Sequence, residues 1–442
     1  MVKIFRERTL RRKLGYTLMV VLVAAGLSQI PVIGINSAYL SAFFSRTGIT
    51  GFMDALSGGS LSRLSAGTFG ITSYITASII IQLLTVAFPS LEKMRKDGEQ
   101  GRRRFERAEF ILSMAVTVLG ATALAIGFGK RGLFRGTSPV WPVIAVAEWT
   151  AVSFVIVKLA LSVEKKGIGN GPTLILGMNI LGRIPSQVIS YFLLVTSGAK
   201  PSAYIPRVAG TAAVAFLVVL IATYMQQGVL RVRIRQSRKK SSALSSDGYI
   251  PVPAGIASVL PVIYASTLFS MPQIIVSISG RTPKGALKTV IGAMTSTNWY
   301  QPKDWTHIAG LAAYILLMIA FGYFSTMLSF SPDEIADTMR KNGDVIPGVN
   351  PGEETAAFLD RRRKVMTGLN LAFLILITIV PEAVATATGN GQLSFAGTSL
   401  IIVISMLEDE YRRLRAETIH GSRKFDLFPT EEKKKAGKEA HA

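Results

Sequence analysis

The side chains able to do chemistry are few and scattered. The chain has no cysteine, which removes thiol catalysis, thiolate metal sites and disulfides. Its three histidines, His307, His420 and His441, lie far apart in loops or tail, so they do not form a metal cluster. Gly167-Ile168-Gly169-Asn170-Gly171 has the glycine density of a phosphate cradle. No strand precedes it, however, and no G-x-x-x-x-G-K-[ST] occurs in the chain, so the expectation is a tight backbone turn at a membrane boundary. Glu148, beside Trp149, is the one acid read as lying well inside a membrane run, and Glu382, after Pro381, sits at the outer end of another. An intramembrane carboxylate is a functional hypothesis by default. Facing a small-substrate pocket at mid-membrane, the pair would suit a proton-coupled secondary transporter. Both fall near the outer ends of their runs, where an interfacial acid is the plainer expectation. Nothing here resembles an enzyme's machinery.

The elements that must position these residues are membrane helices. Of the 442 residues 49% are hydrophobic and only 17% charged, with a mean hydropathy of +0.39. That composition belongs to a multi-span membrane protein. Apolar runs fall at about 14–34, 68–88, 109–128, 142–162, 172–183, 209–226, 254–276, 309–330, 364–383 and 396–410, which predicts ten spans. The first run has a basic flank like a signal peptide but no A-x-A-like cleavage site, and is expected to be retained. The fifth, PTLILGMNILGR, is short and stops at Gly182-Arg183-Ile184-Pro185. The seventh contains Pro261 and Pro272. Short or proline-interrupted spans tend to line a site.

The stretch 49–88 organises the rest. Thr68–Phe88 carries no charge and is long enough to cross a hydrocarbon core of roughly 30 Å. Gly51–Ser65 is too short and too polar to span, being broken by Gly58 and Gly59 and carrying Asp54 and Arg63. Irregular backbone at membrane depth survives only when covered by protein or lining a cavity. The segment therefore reads either as a re-entrant plug walled by the other spans or as an amphipathic surface turn.

Basic residues set the orientation. They concentrate at the amino end (Lys3 to Lys13), between runs 2 and 3 (Lys93 to Arg107), at Lys165–Lys166, between runs 6 and 7, between runs 8 and 9, and in the tail. Cytoplasmic loops carry the Lys/Arg excess, so both termini are expected in the cytoplasm, with Lys158 inside a span. The net charge of +22 then sits mainly on one face, where it would attract anionic lipid. Two basic loops exceed what topology needs. Gln227–Ile250 carries Arg235, Arg238, Lys239 and Lys240; Ser331–Arg363 carries Arg340, Lys341 and Arg361. They suit docking of an acidic or polyanionic partner, or are simply solvated.

SGGSLSRLS (57–65), ITASIIIQLLTV (75–86), KDGEQGRRR (96–104), KGIGNG (166–171), PVIYAS (261–266), DEIADTMRKNGDVIPG (333–348) and FAGTSLIIVI (395–404) carry a resemblance from end to end. The chain resembles the SecY family, the pore-forming subunits of the bacterial Sec translocon. That resemblance implies an all-α polytopic fold of ten helices in two pseudo-symmetric halves, at 1–208 and 209–412, with a basic tail at 413–442. It implies a plug near 51–65 and a closing ring at Ile71, Ile75, Leu176, Ile263 and Ile402. It further implies a lateral gate involving Gln82 and the Gly255 region. Implied partners are the small subunits SecE and SecG, the motor SecA or a ribosome, and signal peptides and nascent chains, in a plasma membrane; no DNA and no cofactor are implied.

The ring has independent physical support, because Ile71 and Ile75 are four apart and share a helix face. A narrow apolar collar can dewet and exclude ions, yet yield around a peptide. The chain also departs from the pattern. Asn350 replaces an arginine in Ile346-Pro347-Gly348-Val349-Asn350-Pro351-Gly352, Gly255 replaces an asparagine, Pro253 a lysine and Ser73 a proline, and Pro172 stands at a sixth ring position. These mark a divergent or accessory member with altered motor coupling.

Overall fold

In lipid every backbone N–H and C=O must be satisfied within its own segment, so the apolar runs have little choice but helix. The computed structural model describes residues 8–36, 56–129, 132–134, 136, 138, 140–196, 201–235, 248–255, 259–279, 284–295, 299, 305–387 and 399–414. The helices are α1 (Arg8–Leu27), α2 (Ser60–Arg63), α3 (Gly70–Ala87), α4 (Pro89–Lys96), α5 (Gly98–Gly129), α6 (Val140–Lys166), α7 (Gly171–Thr196) and α8 (Pro201–Gln227). After strands β1 (Val229–Ile234) and β2 (Gly248–Pro253) come α9 (Leu260–Ser279), α10 (Ala286–Ala293), α11 (Trp305–Ser329), α12 (Pro332–Asn342) and α13 (Glu353–Ala387). Residues 399–414 form a last helix, α14.

Among the described residues, five segments are long and apolar enough to cross a membrane: Gln100–Gly127, Val140–Lys166, Val208–Gln227, Trp305–Asn342 and Glu353–Pro381. Gly70–Thr85 and Leu260–Pro272 are shorter apolar helices. The outward faces carry exposed Leu22, Leu119, Phe216, Leu316 and Leu376, as expected of surfaces that meet lipid tails. The inward faces build a large core beside a smaller cluster around Trp149. The large core joins Ile71, Ile156 and Leu176 from the first half of the chain to Val218, Ile263, Met318, Leu374 and Ile402 from the second.

Three sequence expectations change. The fifth run does not stop at Gly182–Pro185, because α7 continues through Pro185 to Thr196. Residues 254 and 255 form a turn just after β2 rather than the start of a span, the Ala254 N–H bonding the Gly228 carbonyl at 2.7 Å, and α9 begins at Leu260. The two long basic loops are not separate solvated excursions. Strands β1 and β2 pair antiparallel, Val229 opposite Pro253. Arg235 then exchanges both backbone bonds with Val345, N–H to carbonyl at 2.8 and 3.1 Å. Val232, Ile234 and Val252 bury a common cluster with Met339, Ile346 and Leu359. Arg361, expected in the second loop, lies on helix α13, which begins at Glu353.

Candidate functional site

Of the five collar positions, four are buried and one, Ile75, is half-buried, and all pack in the one core. Ile71 and Ile75 are a turn apart on α3, Leu176 follows the first turn of α7, Ile263 lies in the first turn of α9, and Ile402 is near the start of α14. Each is aliphatic, so the contacts have no fixed partner geometry. Pro172 lies in the first turn of α7, where a missing backbone N–H costs little.

The plug segment is described from Leu56 onward; Gly51 and Asp54 lie outside the described residues. Leu56 is 1% exposed and packs in the same core as the collar. The chain reverses at Gly58 and Gly59, with φ of +68° and +83°, a conformation that side chains rarely adopt. A β-carbon at Gly58 would come 3.1 Å from Asn179, and one at Gly59 would come 3.2 Å from the Arg183 guanidinium. Serines then sew the segment down. The Ser60 and Ser65 hydroxyls both donate to the Ser28 carbonyl, at 2.8 and 2.6 Å. Thr68 Oγ1 donates to the Ser65 carbonyl at 2.6 Å, and Trp149 Nε1 on α6 donates to that same oxygen at 3.1 Å. Arg63 Nη1 reaches Gln29 Oε1 at 2.5 Å on the exposed side. Ser60, Ser65 and Leu56 are buried, which an exposed surface turn would not require. Leu56 was not legible as an anchor in the sequence, where it is one leucine among several.

Gln82 joins α3 to α9, since the Tyr264 hydroxyl donates to Gln82 Oε1 at 2.8 Å. Gln82 Nε2 in turn donates to Ser78 Oγ at 3.0 Å. Ser78 Oγ donates to Glu109 Oε1 at 2.8 Å, and Tyr74 donates to Glu109 Oε2 at 2.9 Å. Glu109 lies on α5 and is 7% exposed. It is a correction to the sequence reading, which treated Glu148 as the acid well inside a membrane run. Glu109 opens the third run, directly after a basic stretch, and so reads as flank. Gly255 is not beside Gln82; a β-carbon there would meet Gln226 Oε1 at 2.6 Å, and Gln226 Nε2 donates to Ser405 Oγ at 2.6 Å.

The transporter reading finds no footing. Glu148 accepts the exposed Ile33 N–H at 3.2 Å, a backbone cap rather than half of a proton relay, and the Glu382 side chain lies outside the described residues. The glycine loop 167–171 does hold an anion, but the chain supplies it. Glu410 Oε1 accepts the Asn170 N–H at 3.1 Å, and a β-carbon at Gly169 (φ +97°) would stand 2.1 Å from the carboxylate. Thr17 Oγ1 accepts the Ile168 N–H at 2.9 Å, so the loop ties α1, α6, α7 and α14 together. Lys158 sits 4.5 Å from the Phe110 ring centroid, a cation–π contact that eases an ammonium within a span.

Of the residues expected to dock a partner, Arg235 lies beside the segment that follows Arg340 and Lys341, through the Arg235–Val345 pairing. Arg340, Lys341, Asn350 and Arg361 are exposed. Asn350 N–H approaches Glu354 Oε2 at 3.4 Å, and its carbonyl accepts from Thr355 Oγ1 at 2.8 Å. Arg238, Lys239 and Lys240 lie outside the described residues.

A family model described as SecY matches residues 65–411. The chain belongs to the SecY family. Protein translocase subunit SecY of Thermus thermophilus is 30% identical, the match covering 92% of each chain. The SecY subunit of Streptomyces scabiei is 28% identical, over 93% of this chain and 96% of that one. Among solved structures, one on the plug domain of SecY superposes with a TM-score of 0.65 at 20% identity, covering 93% of both chains. Sec61 from a canine ribosome–channel complex of the endoplasmic reticulum gives 0.63 at 19% identity, covering 93% of this chain and 94% of that one. The helical, polytopic SecY fold is thus shared along nearly the whole chain, and no enzyme chemistry belongs to it.

Proposed function

We propose that this SecY-family protein is the central subunit of a protein-conducting channel, passing secretory polypeptides across the plasma membrane and releasing apolar segments sideways into lipid. The observation that carries this is the single apolar core in which Ile71, Ile75, Leu176, Ile263 and Ile402 meet the plug residue Leu56. Such a collar excludes hydrated ions without any charge, because an ion entering it loses its shell with no replacement. Sorting then needs no catalytic group. Translocation-type scales favour Leu and Ile by roughly 0.3–0.6 kcal/mol and oppose Arg and Lys by about 3.

On this reading the halves of the channel divide near 208, early in α8, the segment around 51–65 is the plug, and α3, α5, α9 and α11 bound the lateral exit. SecE and SecG would stabilise the assembly from within the membrane. The hairpin and α12–α13 face the cytoplasm and receive SecA or a ribosome, and both termini lie on that side. Anionic lipid would gather at the basic belt.

The test replaces Ile71 or Ile402 with a photo-reactive residue and translates a stalled secretory chain into membranes holding the protein. Cross-links to the stalled chain are expected at both positions and not at the lipid-facing Leu119, which is 71% exposed. No cross-link at either core position, or equal cross-linking at Leu119, overturns the reading.

Motor coupling carries its own expectation. Asn350 is exposed beside the docking surface, where relatives of the motif have an arginine able to grip a carboxylate bidentately. One such contact, buried at an interface, is worth about 1.5–3 kcal/mol. Asn350→Arg is therefore expected to raise SecA-driven translocation in reconstituted vesicles by about an order of magnitude. A wild type already as fast as the variant would show that the position is neutral.

A further inference from the structure

Helix α10, in the segment that joins α9 to α11 at the ends remote from the β hairpin, buries none of its eight residues. Its last turn is nevertheless fastened to α11. The Trp299 indole donates to the Ala293 carbonyl at 2.8 Å and packs against Tyr314 of α11, ring centroids 4.9 Å apart. A β-carbon at Gly310 would collide with that same carbonyl, and one at Gly292 would come 3.7 Å from His307 Nε2. Leu287, Val290 and Ile291 follow the i, i+3, i+4 spacing of one helix face, and that face is turned away from Gly292. Leu287 and Val290 are each 51% exposed, and Ile291 is half-buried. Lys288 flanks the stripe and Lys284 stands just before the helix, both exposed. Depth decides what covers such a face. The 25 residues of α11 measure about 37 Å at 1.5 Å each, a little more than the roughly 30 Å of a hydrocarbon core. His307 and Gly310 fall in its first two turns, so α10 packs within about 8 Å of the end of α11, at the boundary between tails and headgroups. At that level Trp305 is 86% exposed, as indoles are at a membrane–water interface, and Ile308 is 47% exposed. The lipid-facing surface of α11 thus runs on to α10.

We propose that α10 is an interfacial helix that binds the surface of an anionic bilayer, with Leu287, Val290 and Ile291 entering the boundary of the tails and Lys284 and Lys288 reaching the lipid phosphates. A short apolar stripe flanked by lysines is what such a surface holds, the apolar atoms leaving water while the long lysine stems carry their charge outward. Trp299 also meets Phe269 of α9 edge-on at 6.2 Å, so the element anchored in lipid grips both α9 and α11 and fixes that pair in depth. The inference requires only the membrane fold and stands apart from the channel reading.

Because the chain has no cysteine, single cysteines can be labelled without background. Leu287→Cys, Val290→Cys and Thr289→Cys each receive an environment-sensitive fluorophore in the intact protein, reconstituted into vesicles of brominated phosphatidylcholine with or without phosphatidylglycerol. Leu119→Cys, on the lipid-facing side of α5, and Lys341→Cys, exposed on α12, give the limits for tail and water. Labels at 287 and 290 are expected to emit at shorter wavelength and to be quenched by the bromines, approaching the label at 119. The label at 289, on the other side of the helix, is expected to behave like that at 341. Phosphatidylglycerol should deepen the quenching at 287, and Lys284→Gln/Lys288→Gln should abolish that increment. Water-like emission without quenching at 287 and 290 overturns the proposal, as does equal quenching at 289. A blue shift without bromine quenching also overturns it, since protein, such as a second copy of the chain, would then cover the face. An increment that survives the loss of both lysines removes the anionic lipid from it. A label at 119 that escapes quenching would instead overturn the placement of α5 across the membrane.

Discussion

Replacing both Ile71 and Ile402 with serine is expected to open a standing ion leak. Both are at most 2% exposed, they come from opposite halves of the chain, and they sit in the core that also receives Leu56. Each change removes an aliphatic side chain and supplies a hydroxyl that can hold water, so the barrier from dewetting falls at two points around the waist. The core also loses about 2–5 kcal/mol per site from the lost packing, so the double variant should be made at reduced temperature. Single-channel recording in planar bilayers gives the answer. Wild type is expected to be silent at rest and the variant to pass ions continuously. A silent variant that still reaches the membrane would mean that the seal lies elsewhere.

The second large effect is expected at Trp149. Its ring is fully buried, packed edge-on against Phe69 at 5.9 Å and surrounded by Val32, Leu64, Leu124 and Leu133. Its Nε1 holds the carbonyl of Ser65, where the plug segment returns to α3. Trp149→Ala should destabilise the protein by about 3–5 kcal/mol, a large fraction of the total stability of an ordinary protein. Trp149→Phe keeps most of the apolar volume and forfeits the donor, at about 1 kcal/mol. Thermal unfolding in detergent separates the two. If alanine and phenylalanine cost the same, the hydrogen bond to Ser65 rather than the packed ring ties the segment to α6.

Much of this molecule is legible in its sequence because the membrane leaves the backbone so few options. The apolar runs announce helices, and the motifs from SGGSLSRLS to FAGTSLIIVI give the family. What escapes is whatever depends on where a side chain points. Arg183 and Pro185 read as a stop signal because each is unwelcome in lipid. Yet Arg183, half-buried, lies against Gly59, and helix α7 carries straight past both. Glu109 reads as the end of a basic flank, since only the tertiary approach of Tyr74 and Ser78 distinguishes it from its neighbour Glu106. The two basic loops escape for a related reason. The pairing of Arg235 with Val345 is a contact between residues far apart in sequence, and neither segment's composition names the other. Glu410 in the glycine loop is the same case, a recognisable cradle whose occupant comes from the other end of the chain.

The hairpin has a mechanical side. Strand β1 begins at Val229 just after α8 ends at Gln227, and β2 ends at Pro253 shortly before α9 begins at Leu260. The two strands are locked by a regular ladder, and the clamp at Arg235–Val345 fastens them to the segment between α12 and α13. A load applied to this arm is therefore shared among four helices, α8, α9, α12 and α13. One of the four, α9, carries Ile263 and Tyr264 on adjacent positions of its first turns. On the proposed reading, a torque delivered to the hairpin would bear on Ile263 and on the α3–α9 bond together.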